Sequence, residues 1–342
     1  MGIKIGFTLP NRGVIFGVTT AGELVDLAER ADSSGGFNSV WVGDSLFGKP
    51  RLESIALLAA IASRTERVRI GPACMASFPL RDPVQLAYQW ASLDLIAEGR
   101  TVLVACTGIV PQAGAEVEAN TYKVTNRDRV ERLTEWIQIL KKLWTEDNVT
   151  FEGKHFSFEN VTIEPKGAAT PRPAIWIANN APARDRELVS RTHRRVVRHA
   201  DGWQTAIWNH DDLAWRLQDI DTQARDLGRD PATIERHLYH NVNLNDDREA
   251  ALEESKKFLD LYYTTDNSRE HVNGWVATGT AEQVVEHIRA YEALGFDEIT
   301  LRITSWNQRE QLERLITEVV PHFEQPGTSA RQTDAEAREQ VA

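Results

Sequence analysis

The chain has 342 residues, 42% of them hydrophobic and 26% charged, which supplies a sizeable core and excludes wholesale disorder. Its 39 Lys and Arg against 50 Asp and Glu leave a net charge of −11, which repels phosphate backbones and anionic lipid, so neither nucleic acid nor membrane is an expected partner. No run approaches the roughly 20 apolar residues that span a bilayer, and the N-terminal stretch lacks a signal-peptide layout, so a cytoplasmic location is expected. Cys74 and Cys106 have no CxxC spacing and read as small core residues rather than a disulfide or a thiolate metal site.

In chain order, residues 3–7 form the first apolar β-rich run. Thr20 and Glu23 have capping-box spacing ahead of Leu24, Leu27, Ala28 and Ala31, which predicts a helix start. Residues 39–42, 68–70 and 101–106 read as the next three strands. Val130, Leu133, Ile137, Leu140 and Trp144 then step by three and four, laying one apolar stripe along a long helix. Residues 149–164, VTFEGKHFSFENVTIE, alternate with period two and predict a small hairpin inserted before strand five. Strands five to seven fall at 174–177, 203–207 and 238–244. The stretch 246–279 is long enough to hold extra helix or loop between strands seven and eight. Thr280 and Gln283 repeat the capping box, Val284, Ile288, Tyr291 and Leu294 supply a buried face, Gly295 offers a left-handed stop, and residues 299–303 make an eighth strand.

Eight short, mostly unalternating strands separated by helices predict an α/β fold, a closed (β/α)8 barrel of the TIM type. A single domain is expected over 1–323, followed by a polar, flexible tail over 324–342.

In such barrels the reactive groups come from the carboxyl ends of the strands. Here those ends carry small, amide, hydroxyl and aromatic residues. Only Asp44 and His240 qualify as metal ligands there, so no metal site is expected. Asp44 has no acidic partner at another strand end, which argues against a two-carboxylate glycosidase, and no strand end carries a Schiff-base lysine. What remains is a cofactor-driven reaction in which protein groups bind and orient.

Several strings then carry a resemblance: GPACMASFPLRDPVQLAYQWASLDLIAEGR at 71–100, RVERLTE at 129–135, FEGKHFSF at 151–158, PRPAIWIAN at 171–179, HADGW at 199–203 and GTAEQVVEHIRAYEALGFDEITLR at 279–302. In this order, over about residues 3–320, the chain resembles the bacterial luciferase-like flavin-dependent oxidoreductases. The resemblance implies a TIM barrel holding FMN, or the deazaflavin coenzyme F420, at its carboxyl face, and commonly a homodimer. It implies an FMN-dependent monooxygenase acting on a small organic substrate with dioxygen and with flavin reduced by a separate flavin reductase. The alternatives are an F420-dependent hydride-transfer enzyme and a non-catalytic flavin-binding barrel.

Site residues follow by the same resemblance. Ala73, Cys74, Met75 and Ala76 correspond to the bulge that lets a flat ring approach; Met75 reads equally as a gap-filling core residue. Thr107 either bonds the flavin or satisfies its own backbone. Asn179, Asn180 and Ala181 stand where relatives place a phosphate loop, with Ala178 and Asn179 in the place of two glycines. Asp44 is an acid/base or orienting group or else an N-cap. His240 is a catalytic or a core histidine, and Arg302 either holds an anionic group or forms a structural pair. Arg129 and Arg132 are expected to bridge to Glu135 or Asp128. Arg194, Arg195 and Arg198, in the basic run RTHRRVVRH, form either a solvated helix face or a receiver for phosphate. Trp203, Trp208 and Trp306 are pocket walls or core.

Overall fold

A computed structural model describes residues 2–108 and 113–323. In chain order its elements are β1 (Lys4–Thr8), α1 (Ala21–Ser33), β2 (Ser39–Val42), α2 (Ser54–Ala62), β3 (Arg69–Pro72), α3 (Pro83–Ile96), β4 (Val102–Ala105), α4 (Ala113–Tyr122) and α5 (Asn126–Thr145). There follow β5 (Val149–Glu152), β6 (Ser157–Val161), β7 (Ala174–Ala178), α6 (Arg186–His199), β8 (Gly202–Thr205), α7 (His210–Asp226), β9 (Glu235–Leu244), α8 (Arg248–Tyr263), α9 (Arg269–Trp275), β10 (Val276–Gly279), α10 (Ala281–Leu294), β11 (Glu298–Ile303) and α11 (Gln308–Arg314). The tail expected over 324–342 lies outside the described residues.

Parallel pairing runs β3-β2-β1-β11-β9-β8-β7-β4. β3 meets β4 through isolated bridges at Ile70–Thr101 and Met75–Ala105, so the sheet curls into the nearly closed eight-stranded barrel that the strand–helix alternation predicts. β5 and β6 pair antiparallel before β7, where the period-two string places a hairpin. Both predicted capping boxes form, at Thr20 with Glu23 and at Thr280 with Gln283, and Gly295 takes φ 95° at the end of α10.

Two features go beyond the sequence expectation. β9 begins at Glu235 and runs for 10 residues, so that β11 pairs with His237 to Val242 while a further strand, β10, pairs with Asn241 to Leu244. The stretch 246–279 therefore contributes α8, α9 and a strand rather than helix or loop alone. β10 escapes a sequence reading because its four residues, VATG, run straight into the cap of α10.

The barrel interior explains several glycines. Trp41 and Trp176 lie 5.4 Å apart between ring centres, and His237 sits about equally close to both, at 4.9 and 5.1 Å. A Cβ on Gly202 would lie 2.5 Å from the Trp176 ring, and one on Gly71 would meet the Val102 carbonyl oxygen at 2.1 Å. Those strands hold glycine because two indoles and the neighbouring backbone already fill the space. Beneath the indoles, buried Glu298 accepts hydrogen bonds from the Ser39 hydroxyl and from Arg69 (2.9 Å), and His237 stands 3.3 Å away. This layer closes the floor of the barrel and leaves the carboxyl ends of the strands open above it.

The arginine expectation on α5 is corrected. Arg129 pairs with Glu118 of α4 (3.1 Å) and Arg132 donates to the Pro79 carbonyl (3.3 Å). Glu135 instead accepts backbone N–H groups of Lys154, His155 and Phe156 at 2.8 to 3.2 Å, fastening the hairpin turn to α5. Arg129 already has Glu118, so the Glu135 carboxylate is left to the three turn amides, which need an acceptor.

Candidate active site

A cavity of about 280 Å³ opens at the carboxyl ends of the strands. One wall is built of small residues: Ala73 and Cys74 after β3, Ala76, Gly108 after β4, and Ala178 at the end of β7. The Ala73–Cys74 peptide is cis. Gly108 has φ 62°, and a Cβ there would stand 2.2 Å from the Ala76 carbonyl oxygen, so the wall is kept flat by necessity of packing. Such a face admits a planar ring.

Of the residues predicted for the site, Ala73, Cys74, Ala76, Asp44, Asn180 and Arg302 are brought together on this cavity. Asn180 accepts from the Thr205 hydroxyl (3.0 Å) and the Ala206 N–H (2.8 Å) through Oδ1, which leaves its amide donors uncommitted to either bond. Asp44 accepts from the Ser77 hydroxyl at 2.6 Å and lies 3.7 Å from Arg81. Burial raises its carboxyl above the usual carboxylate value, against the opposing pull of Arg81 and Ser77.

The remaining predicted residues lie elsewhere. Met75 is fully buried in the apolar core and forms no part of the wall, which is its gap-filling alternative. Thr107 is half-buried and stands beside the wall, outside its lining. Asn179 spends its Oδ1 on the Ala181 N–H (2.8 Å) and its amide on Thr192, so neither Asn179 nor Ala181 retains that donor for a phosphate. In the first turn of α6 the Leu188 N–H is likewise taken, by the Asp185 carboxylate. His240 points out of the barrel, bonded to His287 (2.8 Å) and packed on Tyr291. Period two explains this: Leu238, His240 and Val242 face the helices, whereas His237, Tyr239 and Asn241 face inward. Arg194 and Arg198 lie exposed on α6 and Arg195 is half-buried, all away from the cavity. Trp203 is core, and Trp306 packs on Phe258.

The inward parity also delivers residues that sequence reasoning missed. Tyr239 from β9, Tyr263 from the end of α8 and Trp275 from the end of α9 line the cavity with Lys49 and Arg51 of the loop after β2. Arg302 is 2% exposed, donates to the Tyr263 hydroxyl (2.9 Å), and sits 5.3, 4.1 and 5.6 Å from the ring centres of Tyr239, Tyr262 and Tyr263. Burial opposes its charge, but the three phenols outweigh burial and hold its pKa above the ordinary value. Burial, Arg51, Arg12 and Arg302, in that order, push the Lys49 ammonium down to about 8. The alternation of RHLYHNVNL in β9 was the available signal for Tyr239; nothing local marks Lys49 or Tyr263.

A family model described as luciferase-like monooxygenase matches residues 3–298. The chain belongs to this family. Among curated relatives, the oxygenase component of a flavin-dependent trigonelline monooxygenase from Acinetobacter baylyi is 25% identical, with 90% of this chain and 91% of the relative covered. An F420-dependent glucose-6-phosphate dehydrogenase from Intrasporangium calvum is 27% identical over 87% of this chain and 94% of its own length. Among solved structures, a monooxygenase from Streptomyces bottropensis superposes with TM-score 0.75 at 22% identity, covering 94% of this chain and 99% of that one. An F420-dependent secondary alcohol dehydrogenase, in complex with an F420–acetone adduct, reaches TM-score 0.77 at 17% identity, covering 93% and 98%. These structures bear on the fold alone.

As a luciferase-like protein, the chain has relatives that use a flavin and relatives that use F420. No helix among the described residues is long and apolar enough to cross a membrane. One group, Asp128, Glu131 and His155, has ligand atoms close enough to share a cation. It lies where α5 meets the hairpin, away from the cavity, and Glu131 is already bonded to Arg127, Lys154 and His155.

Proposed function

We propose that this protein is the oxygenating component of an FMN-dependent monooxygenase, receiving reduced flavin from a separate reductase and acting on a small organic substrate. The observation that carries the reading is the make-up of the cavity wall. Among the described residues that line it there is no histidine, and both carboxyls, Asp44 and Glu118, are engaged by Ser77 and Arg81 and by Arg129. A lining without histidine, whose carboxyls are both engaged, suits chemistry in which the protein positions reactants and excludes water.

The flat wall of Ala73, Cys74, Ala76, Gly108 and Ala178 fits a tricyclic ring, and the uncommitted amide of Asn180 fits a polar edge or phosphate of the same group. Reduced flavin, when bound, supplies the electrons that activate dioxygen. Trp275, Tyr239 and Tyr263 shield the opposite side of the cavity from water, and Ser77 holds the Asp44 carboxyl in place. Two copies of the chain, paired through outer helices, complete the proposed assembly.

A second reading, F420-dependent hydride transfer, is favoured by one observation: the cavity-lining Asp44 carboxyl has its pKa raised by burial, as a proton donor requires. Titration of the purified protein with reduced FMN and with reduced F420 separates the two. The first reading expects binding of reduced FMN and oxygen consumption when a reductase supplies it. Binding of F420 alone, without oxygen consumption, overturns it.

A further inference from the structure

The cavity has two chemically different poles. In the strand order, β7 and β8, which carry Ala178, Asn180 and Thr205, stand opposite β11, β1 and β2 across the barrel. The first pole presents neutral amide and hydroxyl groups. The second presents Lys49, Arg51 and Arg302, with Arg12 behind them donating to the Tyr262 carbonyl and, at 3.1 Å, to Thr264.

Four cations converge at that second pole in a chain whose net charge is −11. The groups acting on Lys49 are Arg51, Arg12 and Arg302, and those acting on Arg302 are tyrosines; no carboxylate among the described residues balances either one. Arg302 is almost wholly buried and its Nε has no hydrogen-bond partner. Elsewhere in the molecule, buried Arg129 and Arg216 each have a carboxylate, Glu118 and Asp212. A buried charge without a counter-ion is strongly disfavoured, and stacking on tyrosine faces is a weaker interaction than an ion pair, so the aromatic cage offsets only part of that penalty. An oxyanion placed in the cavity between Lys49, Arg51 and Arg302, all three of which line it, supplies the missing counter-charge.

Resting on the monooxygenase reading above, we infer that the substrate is an organic anion whose carboxylate or phosphate docks between Lys49, Arg51 and Arg302, with its apolar body directed toward the flat wall. The same oxyanion chemistry could come from the phosphate of the cofactor. The opposed position of Asn180 and the aromatic lining of Tyr239, Tyr263 and Trp275 favour the substrate.

The test is anaerobic calorimetric titration of the full chain with benzoate, its neutral isostere benzamide, and inorganic phosphate, each with and without reduced FMN, and of reduced FMN against reduced riboflavin, these reduced forms being the FMN and riboflavin of the outcomes below. Benzoate or phosphate is expected to bind at least about tenfold more tightly than benzamide. Lys49→Gln is expected to weaken the anion by a similar factor while leaving FMN affinity unchanged. Anion binding stabilises the charged ammonium, so near pH 8 it takes up protons in the natural chain and not in Lys49→Gln; a merely structural lysine leaves that proton count unmoved. Arg302→Gln should lose more, and Lys49, being only half-buried, carries the test if that variant does not fold. Equal binding of benzoate, phosphate and benzamide, or anion binding indifferent to Lys49→Gln, overturns the inference. So does a loss of FMN but not riboflavin affinity in Lys49→Gln, which assigns the pole to the cofactor phosphate. Absence of FMN binding alongside Lys49-dependent benzoate binding sinks the flavin reading and leaves the anion pole standing.

Discussion

Glu298 sits at the floor of the barrel with Ser39, Arg69 and His237 around it, and its buried carboxylate is the negative charge to which half-buried Arg69 and the strand hydroxyl both turn. Replacing it by glutamine keeps the shape but removes that charge. Glu298→Gln is expected to cost about 3 kcal/mol in urea unfolding, at the low end for a broken buried pair because Arg69 retains Glu235. Gly71 tests packing at the same level. Its missing Cβ leaves room for the Val102 carbonyl and the Trp41 ring, so Gly71→Ala is expected to cost about 1–3 kcal/mol by overpacking, read as a lower urea midpoint with an unchanged slope. Neither role is visible locally in the sequence, since a glycine in a strand and a glutamate at its start have many uses. Arg302 differs: its place on β11 in phase with Glu298 and Thr300 marks it as inward-facing once the strand is known.

Among the elements, the hairpin of β5 and β6 is the most separable. It forms its own two-stranded sheet, and Glu135 of α5 ties its turn through backbone N–H groups. Glu135→Ala is expected to raise amide exchange across residues 149–161 while the barrel strands keep their protection, because the lost bonds lie outside the barrel. A uniform loss of protection would refute that independence. The period-two string disclosed this hairpin, and the capping boxes disclosed the starts of α1 and α10, because both signals are local. The ninth strand was not legible: β10 is a strand because β9 extends past β8, which pairs with it only as far as Leu238, and offers that edge, which is a property of the partner.

Across the whole molecule, acid stability follows from which groups the fold holds neutral or charged. His240 and His287 are bonded to each other, and burial lowers both below the ordinary imidazole value, His287 to about 4. Both are neutral in the fold, so from pH 6.5 down to about 4 the unfolded chain binds more protons and stability falls as the pH falls. Each such proton contributes about 1.4 kcal/mol per pH unit within that window. The Glu298 carboxyl resists burial through Arg69 and His237 and is held far below its usual value of 4.5, so its contribution is complete above that pH and is lost below it. His287→Gln should flatten the stability profile between pH 6.5 and 4 and leave the steeper loss below it; an unchanged slope in the upper window would show that this pair does not govern it.

The sequence by itself determined the barrel, its strand order, the hairpin and the family, because alternation of strand and helix, hydrophobic period and capping chemistry are written between near neighbours. It also named the small wall at Ala73, Cys74 and Ala76, together with Asp44, Asn180 and Arg302, as residues of the barrel mouth. Only the tertiary structure decided that His240 turns outward to His287, that Asn179 donates to Thr192 of α6 and Ala181 to the Asn179 side chain, and that Lys49, Arg51 and Arg302 converge in a tyrosine cage. Those outcomes depend on curvature and register, which bring together groups more than 200 residues apart and set whether a side chain meets the cavity or the surrounding helices.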